Sequence, residues 1–465
     1  IYGEAFYVST RGMYHQRGSI ELSREHTAWS RPKPKNPIYR GGYISEAQFW
    51  YDPRLKYANE NKDDPLAGFR FQDGKPMGLK HFTMIHSTRT EDVLPGMESG
   101  GGWHDAADYD RRIYHYKCVW DLCGIYELFP SKFTDGQLNI PESGNGIPDV
   151  LDEAAIQIDF FLKTQAADGG VSSWAEQVSH PQKSPWEDEE PFYLSLPDRL
   201  SSLQFAACAA YLGRMIRPFD AARAKRYLGA ASRAYEFGAN PANRLQGITF
   251  TVSDEIIYDR ELKGEVLTFN EAALLPYRKP ETLNIHQLNS LIQLAVAGSK
   301  EHRASLNDVD IVGNLLAHYP DGHQRHPFMA VTPVLAAESV GLTEEQRSAL
   351  LSRIESLSVE HHHGGQDELA YRHLFKKPSE GWYVPSLSWG GSHVGRNAYF
   401  PLILYRATGE ESWRQRVLFG LDWQFGCNAV GRTFTSGLGS VSPLVLQHKH
   451  SSEDSILEPV PGITT

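Results

Sequence analysis

Apolar and polar positions along most of the chain follow the three-and-four spacing of amphipathic helices. Between Val150 and Lys163 the apolar residues Leu151, Ala154, Ile158, Phe161 and Leu162 mark one face. Pro148 followed by Asp149 supplies a helix start. The same spacing predicts helices over Ser201 to Met215, Ala221 to Phe237, Leu283 to Ala297, Leu306 to His318, Thr343 to Ser356, Gly395 to Thr408 and Ser412 to Phe425. Gly- and Pro-rich loops separate them, with scarcely any period-two alternation. Small-residue runs such as Ala206 to Ala210 allow helices to approach closely. The first hundred residues differ: rich in Pro, Gly and Tyr, with a short alternation over Ala47 to Tyr51, they read as extended or loop structure. No fixed sequence period of 20 to 50 residues marks an open solenoid. The expectation is an all-α closed helical toroid, undivided by a linker, behind an irregular N-terminal segment.

Composition narrows the function more than the fold. Over 465 residues, 41% hydrophobic and 22% charged content with dispersed Gly and Pro excludes disorder, collagen and coiled coil. A net charge of −11 without a basic cluster repels polyanions, so no nucleic acid partner is expected. No run of about 18 apolar residues would span a membrane, and the start of the chain has no signal-peptide apolar region. The four cysteines form no CxxC pair. On one helix, Cys118 and Cys123 would point about 140° apart, so buried free thiols are expected.

The segment Gly101 to Tyr116, GGWHDAADYDRRIYHY, carries the most chemistry. Three glycines before Trp103 predict a turn feeding a helix. Asp105 and Asp108, three residues apart at a helix start, would face one side and could hold one water. An inverting glycosidase needs a carboxylate that deprotonates water opposite the leaving group. Read alone, the motif fits an acidic helix cap equally well.

A second stretch, Gly144 to Ala154 (GNGIPDVLDEA), tips that balance. With Asp168 to Ser173, Ser386 to Trp413 and Phe425 to Pro443 following in order, the chain resembles glycoside hydrolase family 9 over nearly its whole length. The resemblance implies an (α/α)6 barrel, a six-hairpin toroid, that hydrolyses β-linked glucan, cellulase-like, with inversion. It gives Asp108 the role of general base and Asp105 that of helping to hold the nucleophilic water; Ala107 stands where glycine is usual. Asp110, with Arg111 and Arg112 behind it, is expected to be salt-bridged and structural. Sugar contacts fall to His448, Lys449, Trp389 and His393, with Trp103, Trp174, Trp186 and Trp382 as further stacking candidates. No cofactor is implied; calcium, which some members bind, is left open. The family favours a secreted or periplasmic setting.

Three departures bear on the expectation. Gln447 to Ser451 aligns with the family's His-His-Arg element but keeps one of the paired histidines, and Lys449 replaces the arginine, exchanging a planar fork for a point charge. The family's general acid, a Glu in a final helix, would lie beyond Thr465, and an immunoglobulin-like domain could precede the chain. Gly18 stands at the position of a cysteine that binds zinc in some members, so no zinc is expected there. His361 to His363 reads as an exposed turn and Glu187 to Glu190 as a solvated loop rather than a calcium site. The rival readings are an exo-acting β-glucosidase or exo-β-glucosaminidase of the same family, and a non-catalytic sugar-binding relative without the acid.

Overall fold

The computed structural model describes residues 2–43, 93–104, 110–177, 183–195, 197–243, 248–251, 266–269, 280–307, 309–316, 326–360 and 398–464. Helices dominate. In chain order they are α1 (Tyr2–His15), α2 (Tyr116–Leu128), α3 (Asp149–Thr164), α4 (Arg199–Ile216), α5 (Ala221–Ala239), α6 (Pro280–Val296), α7 (Lys300–Ala304), α8 (Ile311–Leu316), α9 (Val331–Leu335), α10 (Ala337–Val340), α11 (Glu344–Ser358), α12 (Tyr399–Thr408), α13 (Glu411–Gln424) and α14 (Lys449–Glu453).

The apolar spacing accounts for the long helices. On α3, Leu151, Ala154, Ile158 and Phe161 are buried, and the Asp149 carboxylate at its first turn accepts from the Gly136 and Leu138 amides and the Ser143 hydroxyl at 2.6 to 2.9 Å. Helix α4 is buried nearly all round by its alanines and packs on α2, α3, α5 and α6. Its N-terminus is capped by Asp198, which accepts from the Ser201 amide at 3.0 Å, and α5 is capped in the same way by Asp220. At α11, Thr343 and Gln346 form a reciprocal capping box.

The helical run closes on itself. Two core clusters, one built on α2 to α5 and one on α6 to α12, share α2: Leu128 at its end belongs to the second. There Arg406 of α12 donates to the Leu128 carbonyl at 2.8 Å. This is the closed toroid expected from the sequence.

The N-terminal expectation needs correcting. Residues 2–15 are helical, and α1 is tied to the other end of the chain: Gly12 lies so close to Gly462 that a Cβ would overlap its carbonyl, and the Tyr2 hydroxyl donates to Asp422 at 2.5 Å. A five-stranded sheet was also not expected. Its order is β2 (Val93–Glu98), β1 (Pro37–Tyr43), β6 (Phe192–Ser195), β5 (Trp174–Glu176), β3 (Asp110–Arg112), with only the β1–β6 pair parallel; β4 (Val171–Ser172) pairs separately with Pro197–Asp198. All four cysteines are free, and Cys118 and Cys123 share α2. Cys427 is exposed, contrary to the expectation of burial. Among the described residues no helix is long and apolar enough to cross a membrane.

Burial also sets an acid limit on the fold. His15, fully buried, donates from Nδ1 to the Pro461 carbonyl at 3.2 Å, which leaves Nε2 to accept from the Thr27 hydroxyl at 2.9 Å. Burial, with Arg11 nearby, holds its pKa down to about 3. His450 is held down to about 2 by burial, then by Arg31, His448, His15 and His104. Both are neutral in the fold, whereas the unfolded chain would protonate them near pH 6.5. Their contribution to stability is complete above pH 6.5 and falls as the pH drops toward the folded values. At pH 5 each is expected to cost about 2 kcal/mol. Asp454, whose carboxyl pKa is raised by burial, acts in the opposite sense. Urea unfolding should show a lower midpoint at pH 5 than at pH 7, and His15→Gln should flatten that dependence; a pH-independent midpoint would remove the argument.

Candidate active site

Asp105 and Asp108 lie outside the described residues, but the chain on either side of them is fixed in detail. On the entry side, Gly101 and Gly102 take positive φ of 108° and 69°, a backbone that strains any side chain. This lets the strand-like run pair with residues 16–18. The Gly101 amide donates to the Gly18 carbonyl at 2.9 Å, the Gly18 amide to the Gly102 carbonyl at 2.8 Å and the His104 amide to the Gln16 carbonyl at 3.0 Å. Helix α3 takes the other side: the Gly102 amide donates to the Ile156 carbonyl at 3.1 Å, and the Trp103 amide to the Gln157 side chain at 3.2 Å.

The exit side enters the sheet directly. Asp110 to Arg112 pair antiparallel with Trp174 to Glu176, so the turn feeds a strand before the helix that the sequence predicts. Asp110 and Arg112 form an ion pair, and Arg112 also reaches Glu176 at 3.0 Å. Arg111 is buried; it donates to the Gly101 carbonyl at 2.7 Å and the Ser19 hydroxyl at 2.8 Å. Its guanidinium fills the space that a side chain at Gly18 would need. A cysteine there would have to displace that guanidinium.

Beneath the entry strand lies a buried charge network. Arg17, 1% exposed, reaches the wholly buried Glu153 at 2.7 Å and Glu142 at 3.0 Å. Glu153 also accepts the Trp103 indole N–H at 2.8 Å. This corrects the expectation for Trp103. It is 3% exposed and hydrogen-bonded inward, so it anchors the segment and presents no open ring face to a sugar. Trp174 is likewise core, under the Arg112 guanidinium at 4.5 Å.

The C-terminal motif comes to the same place. The rings of His104 and His448 stack, 9° from parallel with centroids 6.1 Å apart, and His448 and His450 are also 6.1 Å apart. His448 Nδ1 contacts the Ser451 hydroxyl at 2.8 Å. Lys449, one residue on, pairs with Glu453 at 3.2 Å and remains partly exposed. Half-buried Trp186 meets His450 edge-on at 5.6 Å. Of the predicted sugar contacts, His448 therefore adjoins the residue preceding Asp105, and Lys449 follows it in sequence. Trp389 and His393 lie outside the described residues, as do Trp382 and His361 to His363.

The acidic run is not simply solvated. Asp188 is buried, and its carboxylate accepts from the side chains of Asn36 and Gln177. Among the described residues no group of three or more His, Cys, Asp or Glu is placed to hold a metal. Sequence reasoning missed Arg17, Glu153 and Gln157. Glu153 and Gln157 stand four apart on α3, a polar pair on a largely buried helix, and that spacing was the available signal.

The model of glycosyl hydrolase family 9 matches residues 2–463. Endoglucanase C of Cellulomonas fimi is 26% identical over 393 residues, covering 79% of this chain and 32% of the relative's length. A cellulose 1,4-beta-cellobiosidase of Acetivibrio thermocellus is 33% identical over 256 residues, covering 51% of this chain and 25% of its own. The chain thus spans about a third or less of these two relatives. A solved metagenome-derived family 9 endoglucanase superposes over 100% of this chain and 72% of its own, with a TM-score of 0.68 at 21% identity, which shows a common fold. The family match over almost the entire length, joined to that fold, places this chain in glycosyl hydrolase family 9.

Proposed function

We propose that the protein is an inverting glycoside hydrolase of β-1,4-linked glucan or its oligosaccharides. Asp108 acts as general base on a water that Asp105 helps to hold. His448 and Lys449 contact the sugar beside the scissile bond, with Trp389 and His393 completing the cleft. The observation that carries this reading is the His104–His448 stack. It joins the residue before Asp105 to the C-terminal motif, which supports a single site shared by the base and the sugar-contact residues. The relatives named for endoglucanase and cellobiosidase activity support the substrate class.

The ionised base requires a polar, hydrogen-bonded setting. The residues flanking Asp105 and Asp108 are ordered, the entry side through amides paired with residues 16–18 and helix α3, the exit side through the Asp110–Arg112 ion pair. Reducing-sugar release by the full-length protein tests the substrate. Cello-oligosaccharides should be cleaved and glucosamine oligosaccharides left intact. The reverse preference would favour the exo-acting glucosaminidase, and binding without cleavage of either would favour the non-catalytic relative.

A further inference from the structure

We propose that Gln157 is a positioning residue for the carboxylate-bearing segment, fastening both of its ends to helix α3. Its Oε1 accepts the Trp103 amide at 3.2 Å, and its Nε2 donates to the Arg112 carbonyl at 2.9 Å. One side-chain amide therefore bridges the main chain before Asp105 to the main chain after Tyr109. The proposal rests on the reading of Asp108 and Asp105 as the residues that activate water.

Three further observations point the same way. Gln157 is wholly buried, where an amide is retained only if both of its hydrogen-bonding groups are matched. It lies in the middle of α3, a helix of 16 residues anchored in the core, so its own position is fixed. Gly102 sits directly against it: a Cβ there would crowd Arg111 and Gln157 Oε1, so the absence of a side chain lets the backbone approach the amide. The other buried cross-links act differently. Arg111 belongs to the exit strand itself, and of this segment Glu153 takes the Trp103 ring while its other partner is Arg17. Gln157 reaches both flanks from a separate element.

Only a group that can donate and accept at once makes this bridge. A glutamate keeps the acceptor for Trp103 but offers no hydrogen to the Arg112 carbonyl; leucine offers neither. A displacement of about 1 Å at a reacting group costs on the order of 100-fold in rate. Gln157→Leu in the full-length protein should therefore lower kcat for cello-oligosaccharides by about 10- to 100-fold with KM little changed, because Gln157 itself touches no sugar. Gln157→Glu should fall between the wild type and Gln157→Leu.

A readout independent of turnover accompanies it. Amide hydrogen exchange at Trp103 should quicken by at least about tenfold in Gln157→Leu, while peptides from α4 and α5 keep their wild-type protection. A kcat equal to wild type, a loss shared equally by KM, or a loss matched by faster exchange throughout the protein would each overturn the proposal. Unchanged exchange at Trp103 would overturn it as well. Asp108→Ala separates the two claims. If that variant stays active, the base assignment fails whatever Gln157 does; if it is inactive while Gln157→Leu is normal, only the positioning role fails.

Discussion

Replacing Asp108 by alanine should lower kcat on cello-oligosaccharides by about 10² to 10⁴-fold while leaving binding close to wild type. General base catalysis supplies a factor of that size. The loss is confined to kcat because a base acts on water, and a water-activating carboxylate contributes to the transition state more than to the bound sugar. Asp105→Ala should give a smaller loss, since on the proposed reading Asp105 helps to orient the water but does not take its proton. The measurement is steady-state kinetics, with isothermal titration of cello-oligosaccharides onto each variant. Asp108→Ala with wild-type kcat, or with binding lost in proportion to rate, would contradict the assignment.

The second large effect is on stability. Arg17 is the cationic partner of Glu153 among the described residues, and Glu153 is 0% exposed; without it the carboxylate keeps, among those residues, the Trp103 indole N–H at 2.8 Å. Breaking a buried pair by removing one partner leaves an uncompensated charge and costs about 3 to 5 kcal/mol. Arg17→Met should destabilise the protein by that amount in urea unfolding. Arg17→Met combined with Glu153→Gln should recover part of it, because the neutral amide needs no counter-charge. A double variant no more stable than Arg17→Met would mean that the Arg17 side chain acts by packing alone. Arg17 also lies against the Tyr14 ring at 5.1 Å, a contact that neither variant restores.

The helices were legible because their apolar spacing is strong and their caps are explicit. Pro148 with Asp149 marks a start that the structure reproduces within two residues, and the pattern over Thr343 to Ser356 meets a helix at Glu344–Ser358 whose capping box, Thr343 with Gln346, is written in the same sequence. Helix α1 was not legible. Its sequence carries Gly3, Gly12 and several residues of low helix propensity, and its order comes from packing on Gly462 and Asp422 more than 400 residues away. The five-stranded sheet escaped for a related reason. Its strands are 3 to 7 residues long and come from five separated segments, and β3 and β5 are almost wholly buried, so no alternation shows.

The candidate site was legible as motifs and not as a place. Asp105, Asp108, His448 and Lys449 were named from their patterns, but nothing in the sequence says that His104 and His448 meet. Trp103 shows the limit of residue type. A flat apolar ring suggested a sugar platform, whereas Glu153 accepts the indole N–H and the ring is buried. Gln157 and Arg17 were missed for the converse reason: polar residues usually face solvent, and the chain's path shows that these two do not.

The measurement that bears most directly on the central claim is the anomeric form of the first product. Proton NMR during cleavage of a β-1,4 cello-oligosaccharide by the full-length protein records it before mutarotation. A base acting on water opposite the leaving group predicts the α-anomer as the initial product. The β-anomer at early times would mean net retention, and Asp108 would then not be the base of an inverting hydrolase.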